Sequence, residues 1–152
     1  MLSTIERVLA LQKNELFAEI DTEGLAYLAA ISEEVEFDDG DALFTRGEVP
    51  DACYLILAGG VELSDDGGVQ LSLGAGEDIG VWALFDGESR LHSAKATGNT
   101  HVLRIGQEEF YDLLADHSQI IRSLFGTLVR RIRRLLGEKP VVVSESPPEE
   151  RT

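Results

Sequence analysis

Apolar residues recur at helical spacing at the start of the chain. Leu2, Ile5, Val8, Leu9 and Leu11 predict a short amphipathic helix over residues 2–11, with Ser3 or Thr4 available as N-cap. A second short helix is expected to begin at Asp21 or Thr22, with Leu25, Leu28 and Ala29 inward and Phe17 and Ile20 anchoring the turn before it. The texture then changes. Glu33-Glu34-Val35-Glu36-Phe37 alternates, Asp38-Asp39-Gly40-Asp41 makes a turn, and Leu43-Phe44 resumes a strand. Residues 52–57 are the strongest strand signal, and Gly59-Gly60 separates them from Val61-Glu62-Leu63. Asp65-Asp66-Gly67-Gly68 closes a hairpin before residues 69–73 alternate again. Residues 91–96 and 101–105 read as two further strands with Gly98-Asn99 turning between them. Turn signals every 8–12 residues or so indicate a sandwich, jelly roll or barrel.

Helical periodicity returns at Gln107, where Phe110, Leu113 and Leu114 share a face until Asp116-His117-Ser118 interrupts. A longer helix is expected over residues 119–136. Its apolar stripe is Ile121, Leu124, Phe125, Leu128, Ile132 and Leu135, with Arg122, Arg130, Arg133 and Arg134 opposite and Arg131 at the flank. Gly137 is a C-cap and Pro140 a stop. The tail VVVSESPPEERT is rich in proline, serine and acid, so residues 138–152 are expected to be disordered. The pattern yields helices, then a β-roll, then helices.

Composition narrows the function. A chain of 152 residues is sized for one domain with a sizeable core. Its net charge of −15 argues against the bulk of the surface touching nucleic acid or anionic lipid. No run is apolar enough to span a bilayer and the start lacks the marks of a secretory signal, so a cytoplasmic setting is expected. The lone Cys53 lies in an apolar run and reads as a buried, inert thiol. His92, His101 and His117 have no metal-ligand spacing, and neither a Ser-His-acid nor a Cys-His arrangement is evident. A non-catalytic protein without a metal or cofactor is expected.

The stretch over residues 73–96, LGAGEDIGVWALFDGESRLHSAKA, holds the candidate chemistry. Gly74, Gly76 and Gly80 precede the apolar run Val81-Trp82-Ala83-Leu84-Phe85, and a single Arg90 follows between Ser89 and Ser93. A glycine-led helical turn followed by an arginine and hydroxyls fits an anion cradle, and equally a surface turn carrying an unpaired arginine.

LFTRGEVPDACYLILAGGVEL, residues 43–63, resembles the central hairpins of the cyclic-nucleotide-binding domain family, of the catabolite activator and protein kinase A regulatory type. The pattern reads Leu43-Phe44, Gly47, Asp51, Tyr54, Ile56, Gly59-Gly60, Val61, with Tyr54, Ile56 and Val61 facing the core. VLRIGQEEFYDLLADHSQIIRSLFGTLVRRIRRLL, residues 102–136, is similar to the family's last strand and two C-terminal helices. The resemblance implies a mainly β fold with flanking α-helices. It is a double-stranded β-helix, or jelly-roll-like β-roll, over about residues 33–105, inside a domain over residues 16–137. An N-terminal helix over residues 1–15 precedes it and C-terminal helices over about residues 107–136 complete it.

By the same resemblance, residues 80–93 fall on the family's phosphate-binding cassette. Gly80, Ala83, Arg90 and Ser93 fit its pattern. Arg90 would pair with a cyclic phosphate, Ser93 would hydrogen-bond it, and backbone N–H groups near Trp82 and Ala83 would complete the cradle. Val81 occupies the position of a glutamate that, in the family, accepts the ribose 2′-hydroxyl, and Leu91-His92 replaces a small pair. An unpaired buried hydroxyl costs about 1–3 kcal/mol, roughly tenfold to hundredfold in affinity.

Two functions follow. One is a sensor that binds cAMP, cGMP or another small anion and moves its C-terminal helix. The other is a degenerate member whose Val81, Trp82 and Leu91 fill the pocket, leaving a protein-interaction or assembly module. The stripe from Ile121 to Leu135 is a candidate homodimer seam, and the arginines a candidate dock for an acidic partner. With an acidic tail after Leu136 and no helix-turn-helix, direct DNA reading is not expected. The output is expected to lie on a separate partner or elsewhere in a larger protein.

Overall fold

The structure is a computed structural model that describes residues 1–137, with Trp82 and Ala83 described by backbone alone. Helix α1 spans Thr4–Lys13 and α2 spans Thr22–Ile31. The first starts at Thr4 because Ser3 is its cap: Ser3 Oγ accepts the Glu6 N–H at 3.1 Å, and Glu6 Oε1 accepts the Ser3 N–H at 2.8 Å. Asp21 caps α2 by accepting the Gly24 N–H at 2.8 Å. The β-roll comprises β1 (Ser32–Phe37), β2 (Ala42–Phe44), β3 (Ala52–Asp65), β4 (Gly68–Gly74), β5 (Asp78–Ile79) and β6 (Ser93–Gly106). The short α3 (Val81–Asp86) lies between β5 and β6, and α4 (Gln107–Asp116) and α5 (Ser118–Leu135) close the described chain. The sequence expectation for residues 138–152 lies outside the described residues.

The strands form one antiparallel sheet in the order β1-β6-β3-β4, with β2 on β6 and β5 on β3. Its centre is the long ribbon of β3 and β6, where two expected breaks are corrected. Neither Gly59-Gly60 nor Gly98-Asn99 ends a strand; the two sites face each other, and the register slips there while both strands run on. Gly59 has φ +88°, and a Cβ on it would collide with the Asn99 carbonyl and Thr100. The buried Thr100 hydroxyl donates to the Gly60 carbonyl at 3.0 Å and holds the bent ribbon together. The glycines bend the ribbon instead of reversing it.

The first part of β3, residues 52–56, is buried on both sides, which explains its continuous apolar run. Tyr54, Ile56 and Val61 face the inside of the roll with Phe44, Ile79 and Val102. Cys53 and Leu55 face the helices with Leu11, Phe17, Leu28, Phe110 and Ile120. Helix α1 therefore shares the core of the β-roll through Leu11.

The apolar stripe expected on α5 divides into two faces. Ile120, Leu124, Thr127 and Leu128 are buried against the body, whereas Phe125, Val129, Ile132 and Leu135 are exposed. The helix lies on the body only along the side carrying residues 120, 124, 127 and 131. Positions 125, 129 and 132 are turned about 100° away from 124, 128 and 131. Three of the arginines are paired within the chain. Arg130 pairs with Glu19, Arg131 with Asp78 and Glu15, and Arg134 with Glu15, so much of the basic patch is neutralised by this chain's own acids.

Candidate functional site

A cavity of about 630 Å³ opens where the end of β2, the end of β5 with Gly80, and the loop after α3 meet. Phe44, Arg46, Gly80, Arg90, Leu91 and His92 are among the residues that line it. The loop is fixed by backbone pairing across the roll: Arg90 N–H donates to Glu48 O and Gly47 N–H to Arg90 O, both at 2.9 Å.

Arg90 is 4% exposed, the most deeply buried cation in the described chain. Its Nη1 donates to the Gly80 carbonyl at 3.1 Å and its Nη2 to the Ala52 carbonyl at 2.5 Å. The guanidinium carbon lies 4.1 Å from the centroid of the Phe44 ring. Among the described residues no carboxylate forms an ion pair with it. Burial lowers its pKa from the ordinary arginine value, opposed by Tyr54, Asp51, Cys53 and Glu48, and the guanidinium stays charged. Neutral carbonyls and an aromatic face thus hold a buried cation. Two of its five N–H donors are used on protein oxygens.

Gly80 is required at this contact. It adopts φ +83°, and a Cβ there would stand 2.5 Å from Arg90 Nη1. Val81 does not reach the cavity. It is 2% exposed and packs with Leu84 in the helix-side core. Ser93 accepts the Arg46 N–H on its Oγ at 2.9 Å, so its hydroxyl already fastens the chain two residues after Phe44. Leu91 is 75% exposed at the rim, and His92 is half-buried in the cavity wall. Trp82 and Ala83 sit in the first turn of α3, where only their backbone is described. The other end of α3 is held by α4: the Leu84 carbonyl accepts from the Tyr111 hydroxyl and from Gln107 Nε2 at 3.5 Å.

Burial pushes the Cys53 thiol up to about 12, as suits an inert core residue. His101 contacts Glu34 and His117 stacks on Tyr27 with ring centroids 3.9 Å apart, so the histidines do not converge. Among the described residues no group of three or more His, Cys, Asp or Glu is placed to hold a metal. No described helix is long and apolar enough to cross a membrane.

The family model described as the cyclic nucleotide-binding domain matches residues 34–117. The chain belongs to the cyclic nucleotide-binding domain family. It is 27% identical over 124 residues to the CRP-like cAMP-activated global transcriptional regulator of Mycobacterium tuberculosis, covering 78% of this chain and 55% of that protein. The chain thus spans about half the length of that curated relative. Among solved structures it is similar to the N-terminal domain of a transcriptional regulator from Streptomyces coelicolor, with TM-score 0.75 and 29% identity over 91% of this chain and 99% of that one. It is also similar to the Thermus thermophilus catabolite activator protein, with TM-score 0.69 and 27% identity over 80% of this chain and 60% of that one.

Within this cyclic nucleotide-binding domain, the roles of Phe44 and the Ala52 carbonyl were not legible from the local pattern. Phe44 is visible in the sequence only as half of an apolar pair, and a backbone carbonyl leaves no mark in a sequence at all.

Proposed function

We propose that this domain is a regulatory sensor whose cavity takes a small anion, a cyclic nucleotide first, on Arg90, and that occupancy is passed to α5. One observation supports this above the rest: Arg90 is buried in the cavity wall with no carboxylate partner among the described residues. A buried cation without a counter-ion is costly, and an anionic ligand offsets that cost. The remaining donors of the fork suit a phosphate. The description of the M. tuberculosis relative as cAMP-activated points the same way. Val81 supplies no acceptor for a ribose hydroxyl, so affinity is weaker than a glutamate at that place would give. A cytoplasmic setting belongs to this reading.

A second reading, an assembly module, is favoured by the exposed face of α5. Phe125 is 65% and Leu135 78% exposed, beside Val129, Ile132 and Leu136. Such a stripe suits a homodimer seam. Of the residues expected on the seam, Phe125, Ile132 and Leu135 are exposed and Ile121 is half-buried, whereas Leu124 and Leu128 are occupied within the chain. Titrating the purified chain calorimetrically with cAMP and cGMP separates the two. Saturable heat supports the sensor; no heat at millimolar ligand removes it and leaves assembly.

A further inference from the structure

Asp78 lies in β5, two residues before Gly80, and side chains from two other parts of the chain converge on its carboxylate. Arg131 of α5 donates to it with both terminal nitrogens, Nη1 to Oδ2 at 3.3 Å and Nη2 to Oδ1 at 3.1 Å. Asn14, in the link between α1 and α2, donates to Oδ1 at 3.1 Å. The Asn14 side chain also donates to the Gly76 carbonyl at 2.9 Å and accepts the Leu16 N–H at 2.8 Å, so it is itself fixed. The Asp78 and Arg131 side chains are 10% and 18% exposed. The neighbouring pairs differ: Arg130 with Glu19 and Arg134 with Glu15 are about half exposed on both sides, where an ion pair contributes little. The Arg131 contact, by contrast, is a forked, largely buried tie between α5 and the β-roll.

The backbone carries that tie to the site. Ile79 pairs with Tyr54, and the carbonyl of the next residue, Gly80, accepts from Arg90. A second cavity of about 420 Å³ lies over Asp78 and Arg131 and shares Leu63, Ile79 and Gly80 with the first. Ile79-Gly80 is therefore a common wall, with Arg90 on one side and Arg131 on the other.

We propose that Arg131 is a positioning residue: through its fork to Asp78 it fixes the Gly80 carbonyl that orients Arg90, and it joins the last turns of α5 to the binding site. The proposal rests on the sensor reading for its use, but its geometry is present in the free chain and is tested there. Amide hydrogen exchange is followed on the full chain in wild type, Arg131→Lys and, as control, Arg130→Lys. Lysine keeps the charge and loses the fork. Arg131→Lys is expected to speed exchange of residues 76–81 and 129–136 together, by about tenfold for the loss of a charge-assisted pair. Arg130→Lys is expected to leave residues 76–81 unchanged. Unchanged exchange at 76–81 in Arg131→Lys, or an equal rise in Arg130→Lys, overturns the proposal. Asp78→Asn, which removes the charge and one of the two acceptor oxygens from the other side, must give the same paired response. Failure of the wild type to bind cAMP would remove the sensor reading without altering these exchange results.

Discussion

The Gly80 carbonyl accepts a hydrogen bond from Arg90 Nη1 at 3.1 Å, and a Cβ on Gly80 would stand 2.5 Å from that same nitrogen. One residue therefore supplies the acceptor, the space and the φ of +83° that the buried guanidinium needs. Gly80→Ala is expected to lower stability by about 1–2 kcal/mol from the left-handed backbone alone. It should also displace Arg90 and weaken anion binding. Urea unfolding measures the first effect and titration the second; an unchanged midpoint would contradict both causes.

Val81 is the position where a carboxylate would complete a nucleotide site by family resemblance, but its side chain is buried beside Leu84. Val81→Glu is therefore expected to place a carboxylate in the core and cost about 3 kcal/mol or more at neutral pH. The deficit should narrow as pH falls and the group becomes neutral. Denaturant midpoints at pH 5 and pH 8 test this. If Val81→Glu instead matches wild-type stability and raises cAMP affinity, α3 turns that position into the cavity when ligand arrives.

Glu34 ties the start of the chain to the sheet. It accepts the Leu2 N–H at 2.6 Å and Arg7 Nη2 at 3.2 Å, and lies 3.0 Å from His101 Nε2. The Leu2 N–H, more than Arg7, holds its carboxyl below the usual glutamate value of 4.5. A depressed folded-state pKa means the contribution is present above the unfolded value and lost as pH falls through the folded one. Glu34→Gln is expected to flatten the acid side of the stability profile below pH 4.5, with little change in the slope at pH 7. Parallel acid limbs for the two proteins would show that Glu34 has no such role.

The α5 seam is tested by residues that the core does not use. Phe125→Asp is expected to convert a sedimenting dimer to a folded monomer, with a melting temperature lowered only by the loss of association, because Phe125 is 65% exposed. Leu128→Asp is expected to melt early whatever the oligomeric state, because Leu128 is buried. Identical monomeric profiles for wild type and Phe125→Asp would remove the homodimer.

Local pattern made much of the fold legible. Asp21 caps α2 where a cap is expected, and Tyr54, Ile56 and Val61 face inward as the resemblance to the family's central hairpins implies. Glycine misled where it bends a ribbon: Gly59 and Gly98 carry turn chemistry, yet their strands continue because each faces the other across the β3–β6 pair. The α5 stripe misled because Leu124 and Phe125 are adjacent in sequence but lie about 100° apart on a helix, and only tertiary packing decides which side is covered. Arg90 stood out as the single arginine in its stretch. Its surroundings did not, because Ala52 is 38 positions away and arrives through sheet register.

The most direct measurement is calorimetric titration of cAMP and cGMP into wild type and Arg90→Met at low salt, with folding of both proteins checked by thermal melting. Wild type is expected to bind in the micromolar range and Arg90→Met about a hundredfold more weakly. No binding by folded wild type, or equal binding by folded Arg90→Met, would contradict the assignment of the anion site to Arg90.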